Sequence, residues 1–152
     1  MVDINACINN AAPELFGRLA LPDEDTLYLL EWRGPLLVKP LQDILGSALL
    51  GVIVVVNSSQ PECFREACSI LRCITELPVV IAANPRNPAE AWSLEHLRIA
   101  LRLKEQDVLM TCDVTDQRDT VKVVLKLSDA LPEDAFIGKL KTLLGSKLDH
   151  AG

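Results

Sequence analysis

Hydrophobic and polar positions follow two rhythms along this chain, and the switches between them mark out the elements. Residues 16–21 (FGRLAL) and 26–32 (TLYLLEW) flank the acidic turn Pro22-Asp23-Glu24-Asp25, which predicts a β-hairpin. Over residues 36–49, Leu37, Leu41, Ile44, Leu45 and Ala48 fall on one helical stripe. Residues 51–56 (GVIVVV) are apolar without a break, the pattern of a strand covered on both faces. Next, Ser58-Ser59-Gln60-Pro61-Glu62 combines a hydroxyl cap, a proline in the first turn and an early acid, which predicts a helix start. That helix turns Phe64, Ala67, Cys68, Leu71 and Ile74 inward.

Residues 77–83 read as another buried strand. Ser93 then caps a helix with Leu94, Leu97 and Leu101 on its apolar face, and His96 one step off it. Residues 107–112 (DVLMTC) form a third core strand, and 118–131 are amphipathic through Val121, Val124, Leu125 and Leu131. Pro132 breaks that helix, and an extra C-terminal helix occupies 132–148, its periodic part beginning at Glu133. After the hairpin the expected order is α-β-α-β-α-β-α-α. Strands that alternate with helices require crossover connections, so the fold class is α/β: a mostly parallel central sheet with helices on both faces.

Composition narrows the picture. A length of 152 residues with no internal repeat or linker fits one domain, 1–152. The net charge of −6 argues against a broad nucleic-acid surface. Residues 1–10 show neither a basic nor an apolar leader segment, and the most apolar run, 48–56, is far too short for a membrane span. The five cysteines (7, 63, 68, 73 and 112) have no zinc spacing and read as reduced thiols of a cytoplasmic protein.

Five stretches, Phe16-Gly17-Arg18-Leu19, Glu31-Trp32-Arg33-Gly34, Val54 through Ser59, Ala82 through Asn87 and Cys112-Asp113-Val114-Thr115, together resemble the Ras-like small GTPases, closest to the bacterial gliding-motility (MglA-like) branch. Phe16-Gly17-Arg18-Leu19 resembles that branch's second strand, and Glu31-Trp32-Arg33-Gly34 its third-strand exit. Val54-Val55-Val56-Asn57-Ser58-Ser59 resembles V-V-D-S-S, with Asn57 for the Asp. Ala82-Ala83-Asn84 through Asn87 stands where A-N-K-x-D belongs, and Cys112-Asp113-Val114-Thr115 where the second base-contacting loop belongs. The likeness runs from about residue 11 to residue 131 and implies a truncated small-GTPase-like fold that starts with the hairpin.

Each departure from the family removes a physical task. A phosphate cradle needs G-x-x-x-x-G-K-[ST], whose backbone N–H groups and Lys hold phosphate; no such motif occurs in this sequence. The fifteen residues before Phe16 leave no room for the family's first strand, P-loop and first helix. Residues 1–15 then divide between a switch-I remnant (9–14) and a segment, 2–8 (VDINACI), suited to act as a substitute strand. In the base loop, the family's Asp accepts two bonds from guanine, whereas Asn87 offers one acceptor and one donor. Pro85 replaces the Lys that covers the base, and Asn84 is left to tie neighbouring loops together through its amide.

The resemblance therefore implies a non-catalytic pseudo-GTPase with no cofactor and no metal, serving protein interaction or signalling. Asn84, Asn87, Asp113 and Thr115 are its vestigial base-loop positions. Tyr28, Trp32 and Arg33 are residue types enriched at binding hot spots, on the face the family shows to regulators, which in this branch are small roadblock/LC7-type proteins. Loss of the family's central first strand exposes strand edges, from which a homodimer or heteromer is expected. No catalytic triad or acid/base pair is evident: His96 and His150 stand apart, Glu31 is one methylene longer than the family's Asp, and Asp113 and Asp116 sit where acids favour a helix start. The alternative reading is a ligand-binding switch or enzyme at the C-terminal strand ends, using Asn57, Asn84, Asp113 and Thr115. A third is half of a split GTPase whose P-loop lies on another polypeptide.

Overall fold

Hydrophobic periodicity and turn chemistry place most elements where the computed structural model has them, over residues 14–31, 43, 45–74 and 76–150. Strands β1 (Glu14–Ala20) and β2 (Thr26–Glu31) form the antiparallel hairpin, with a register shift between Leu15 and Gly17. Its turn is a short 3-10 segment, Pro22–Glu24, in which Asp23 and Glu24 take positive φ. Then come β3 (Val52–Val56), α1 (Phe64–Cys73), β4 (Val79–Ala83), α2 (Leu94–Ala100), β5 (Val108–Thr111), α3 (Gln117–Asp129) and α4 (Ala135–His150). The helix expected over 36–49 lies largely outside the described residues. Gly46–Ala48 is a 3-10 turn, and Leu45 is buried against Leu30 and Leu49.

β3, β4 and β5 make a parallel three-stranded sheet in chain order, with Val54 opposite Ile81 and Ile81 opposite Leu109. One face, from Val54, Val56, Ile81 and Ala83, packs on α1 through Phe64, Ala67 and Cys68 and on α2 through Leu97 and Leu101. The opposite face, from Val80 and Ala82, packs on α3 through Val123 and Leu127. The molecule is thus α/β with helices on both sheet faces. Gly51, just before β3, is required by close approach: a Cβ there would lie 2.9 Å from Leu127 Cδ1 and 3.0 Å from the Pro78 carbonyl oxygen.

The hairpin forms a sheet of its own and rests on the α3–α4 layer. Leu19, Leu21 and Leu27 meet Val121, Val124 and Leu125 of α3 and Leu140 and Leu144 of α4. Lys139 Nζ of α4 reaches both Asp23 Oδ2 and Asp25 Oδ2 at 3.0 Å, pinning the turn, and Asp23 first and Asp25 second raise the Lys139 pKa. So α3 carries two apolar faces: the expected residues Val121, Val124 and Leu125 serve α4 and the hairpin, while Val123 and Leu127 serve the sheet.

Several expectations need correction. β3 is not covered on both faces along its length, because Val55 near its C-terminal end is 55% exposed. α1 does not begin at a hydroxyl cap. Ser58 and Ser59 lie in a turn, a 3-10 segment Pro61–Cys63 follows, and the α-helix starts at Phe64 without a side-chain cap. Ser93 caps α2 as expected, its Oγ accepting from the His96 N–H at 3.2 Å. Leu94, however, is an exposed residue, because the short helix turns only Leu97 and Leu101 into the core. The C-terminal helix starts at Ala135, after Asp134, whose Oδ1 accepts from the Ile137 N–H at 2.8 Å.

α2 ends in a Schellman motif that places an arginine where glycine is usual. The Leu103 N–H donates to the Arg98 carbonyl at 2.9 Å, and the Arg102 N–H to the Ile99 carbonyl at 3.1 Å. Arg102 holds φ at +55°, a conformation that costs a non-glycine residue about 1–2 kcal/mol.

Candidate functional site

Open α/β sheets present their connecting loops at the C-terminal strand ends, so the residues singled out from the sequence converge there if they converge anywhere. All three loops leave the same edge of the sheet, and the Cys112 N–H donates to the Ala83 carbonyl at 2.9 Å, but side-chain hydrogen bonds join only the first two. Asn57, just past β3, is the hub. Its Oδ1 accepts from the Ser59 N–H at 3.1 Å and the Ser59 Oγ at 2.6 Å, an Asx turn. The same oxygen accepts from the Arg86 N–H, across in the β4–α2 loop, at 3.2 Å. Its Nδ2 donates to Gln60 Oε1 at 3.2 Å. Ser59 Oγ in turn accepts from the Asn87 N–H at 3.1 Å.

Backbone bonds complete the weld. The Asn84 N–H donates to the Val56 carbonyl at 2.8 Å, and the Trp92 N–H to the Ser58 carbonyl at 2.9 Å. The Trp92 ring meets Phe64 of α1 edge-on, with centroids 5.0 Å apart and planes at 87°. Asn87 Oδ1 accepts from the Ala89 N–H at 3.3 Å and caps the 3-10 segment Pro88–Glu90. Loop tying was expected of the Asn84 amide; the side chain that carries it is Asn57, with Asn84 contributing its backbone N–H.

The β5–α3 loop is a separate unit. Asp113 Oδ1 accepts from the Thr115 Oγ1 at 2.6 Å and from its N–H at 2.9 Å, and these two bonds lower the Asp113 pKa. The Asp113 N–H donates to Asp119 Oδ2 at 3.0 Å, and Asp116 Oδ1 caps α3 by accepting from the Arg118 N–H. Beneath them, the buried Cys112 thiol is pushed up in pKa, first by burial and then by Asp119, Asp113 and Asp116.

A cleft of about 410 Å³ lies between β3 and α1, and Asn57, Asn84 and Arg86 line it together with Gln60, Cys63 and Glu66. Asp113 and Thr115 are not among the lining residues of this cleft. Tyr28 sits on the hairpin opposite Arg18, 41% exposed. Trp32 and Arg33 lie outside the described residues. Among those residues, no group of three or more His, Cys, Asp or Glu is placed to hold a metal ion, the four cysteines are free thiols, and no helix is long and apolar enough to cross a membrane.

Sequence reading missed Ser59 and Trp92 as members of this site. The Asn-x-Ser spacing of 57–59 is an Asx-turn signal and was legible. Trp92 had no local signal, since only the β4–α2 loop brings it to Ser58. The fold and these loops define an α/β protein with a parallel three-stranded sheet and a docked hairpin. No protein-family model matches the chain, and no curated protein does.

Proposed function

We propose that this chain is a non-catalytic, small-GTPase-like module, a pseudo-GTPase of MglA-like character, that works in the cytoplasm by binding another protein. One observation carries the reading: the loop in the place of the family's base loop is closed on itself. Asn87, at the position of the base-reading Asp, commits its Oδ1 to Ala89, and Asn57, at the position of the fourth-strand Asp, commits its Oδ1 to Ser59 and Arg86. Admitting a guanine base there means breaking such bonds, each worth about 0.5–1.5 kcal/mol, for an edge that Asn87 matches poorly.

The reading is also supported by the sheet arrangement. Among the described residues β2 pairs only with β1 and β3 only with β4, and the family's first strand runs between those two positions. The hairpin face with Tyr28 is the surface for a roadblock-type regulator, and Trp32 and Arg33 follow β2 in the sequence. The edges of β2 and β3 that have no strand partner among the described residues suit strand addition by a second copy. Light scattering at high concentration is expected to give the mass of a dimer; a strictly monomeric 16.7 kDa species would count against that assembly.

The direct test is titration of fluorescent GTP and GDP, with and without Mg²⁺, on protein checked for co-purified nucleotide. No saturable binding at high micromolar protein is expected. Saturation in the low micromolar range would show that nucleotide is held without a P-loop, and the pseudo-GTPase reading would fall.

A further inference from the structure

On the sheet face opposite the hairpin layer, α1 and the C-terminal end of α2 enclose a groove of about 450 Å³. Its floor is Phe64, Cys68 and Ala100, with the Cys68 thiol donating to the Ala100 carbonyl at 3.4 Å. Its walls are three arginines: Arg65 and Arg72, two turns apart on α1, and Arg102 just beyond α2. In a chain with 15 lysines and arginines against 21 acids, three of the cations thus line one groove. We infer that this groove is a docking site for an acidic segment of a protein partner, with carboxylates on the three guanidiniums and one apolar side chain over the floor.

Two independent observations carry the inference. First, these guanidiniums are free to act. Salt bridges among the described residues run from Lys139 and Lys141 to acids, and Arg98 donates to the Lys104 and Asp107 carbonyls. Among the described residues Arg65, Arg72 and Arg102 make no side-chain ion pair or hydrogen bond, and Glu66 of the same helix lines the β3 cleft instead. Guanidiniums are forks suited to bidentate capture of carboxylates, and three at one groove are electrostatically complementary to an acidic chain.

Second, Arg102 stands at the left-handed position of the Schellman motif, where glycine would be more stable. An arginine kept in a strained conformation at the wall of a groove points to a task for its side chain rather than for the fold. This inference rests on the reading of the chain as a protein-binding module, but on a surface remote from the hairpin.

The probe is a fluorescein-labelled peptide, EEELFEEE, followed by anisotropy against the intact chain. Saturable binding is expected with a Kd of roughly tens of micromolar, weakening as salt rises from about 50 to 300 mM. R72E should weaken it about tenfold or more, while R118E on α3, also at an exposed arginine, should change it far less. The sharpest variant is R102G, which should raise the melting temperature and yet weaken the peptide. A purely structural Arg102 would not lose binding as the fold gained stability.

Absence of saturable binding, equal losses in R72E and R118E, or unchanged affinity in R102G would each overturn the proposal. So would preferential binding to phosphatidylserine vesicles or single-stranded RNA, or a dimer that R72E dissociates, which would place a second copy in the groove. Nucleotide binding would sink the pseudo-GTPase reading without touching this result, and failure of the peptide would leave the nucleotide result standing.

Discussion

Leu97→Ala should destabilise the protein by about 3 kcal/mol and lower its melting temperature by roughly 6–12 °C. Leu97 is fully buried in the cluster that joins α2 to α1 and to β3 and β4. Removing its branched end takes away transfer free energy and leaves a cavity whose walls, a sheet on one side and a helix on the other, cannot close fully. The control is Ile99→Ala on the same helix: Ile99 is 76% exposed, and its loss should stay within about 0.5 kcal/mol. Thermal and urea unfolding of the two variants decides the point. Equal destabilisation would mean that α2 does not pack by the face described.

Asn57 is the second large effect. Its side-chain oxygen accepts three bonds, two within its own loop and one from the next, so Asn57→Ala leaves the Ser59 N–H, the Ser59 hydroxyl and the Arg86 N–H to water. The site is half-buried, and solvent replaces part of what is lost, so the expected cost is about 1–2 kcal/mol. Asn57→Asp separates the acceptor from the amide. The carboxylate keeps all three accepted bonds and strengthens them by its charge, and it loses only the donation to Gln60. It should therefore lie close to the parent in stability at neutral pH. Hydrogen exchange at the Arg86 and Asn87 amides would check the mechanism, with faster exchange in Asn57→Ala and near-parental exchange in Asn57→Asp. If both variants lose equally, the amide donor and not the shared oxygen holds the loops.

The reading of Asn57 shows how far the sequence reached. Asn57 and Asn84 were both visible as polar residues that close β-branched or small apolar runs. Which of the two welds the loops was not visible, because the bond from Arg86 to Asn57 spans 29 positions and depends on how β3 and β4 lie side by side. Asp113 and Thr115 were legible as a pair, being two residues apart in a turn that makes its own bonds. That they stand apart from the β3–α1 cleft is a property of the packed sheet. The groove of Arg65, Arg72 and Arg102 had half a signal, the seven-residue spacing on α1. Its third member arrives from another helix.

By itself the sequence determined the local structure of the described core: strands where β-branched runs are bounded by turn residues, helices where the apolar period is near 3.6, and caps at Ser93 and Asp116. These follow from interactions between residues a few positions apart, which a linear pattern records. Only the tertiary structure decided that the hairpin docks on α3 and α4 through Lys139 and its leucines, that α3 faces two ways, and that Val55 is left open near the end of β3. Those outcomes depend on which surfaces meet, and burial is fixed by the sum of neighbours from distant parts of the chain, so no short window of residues contains it.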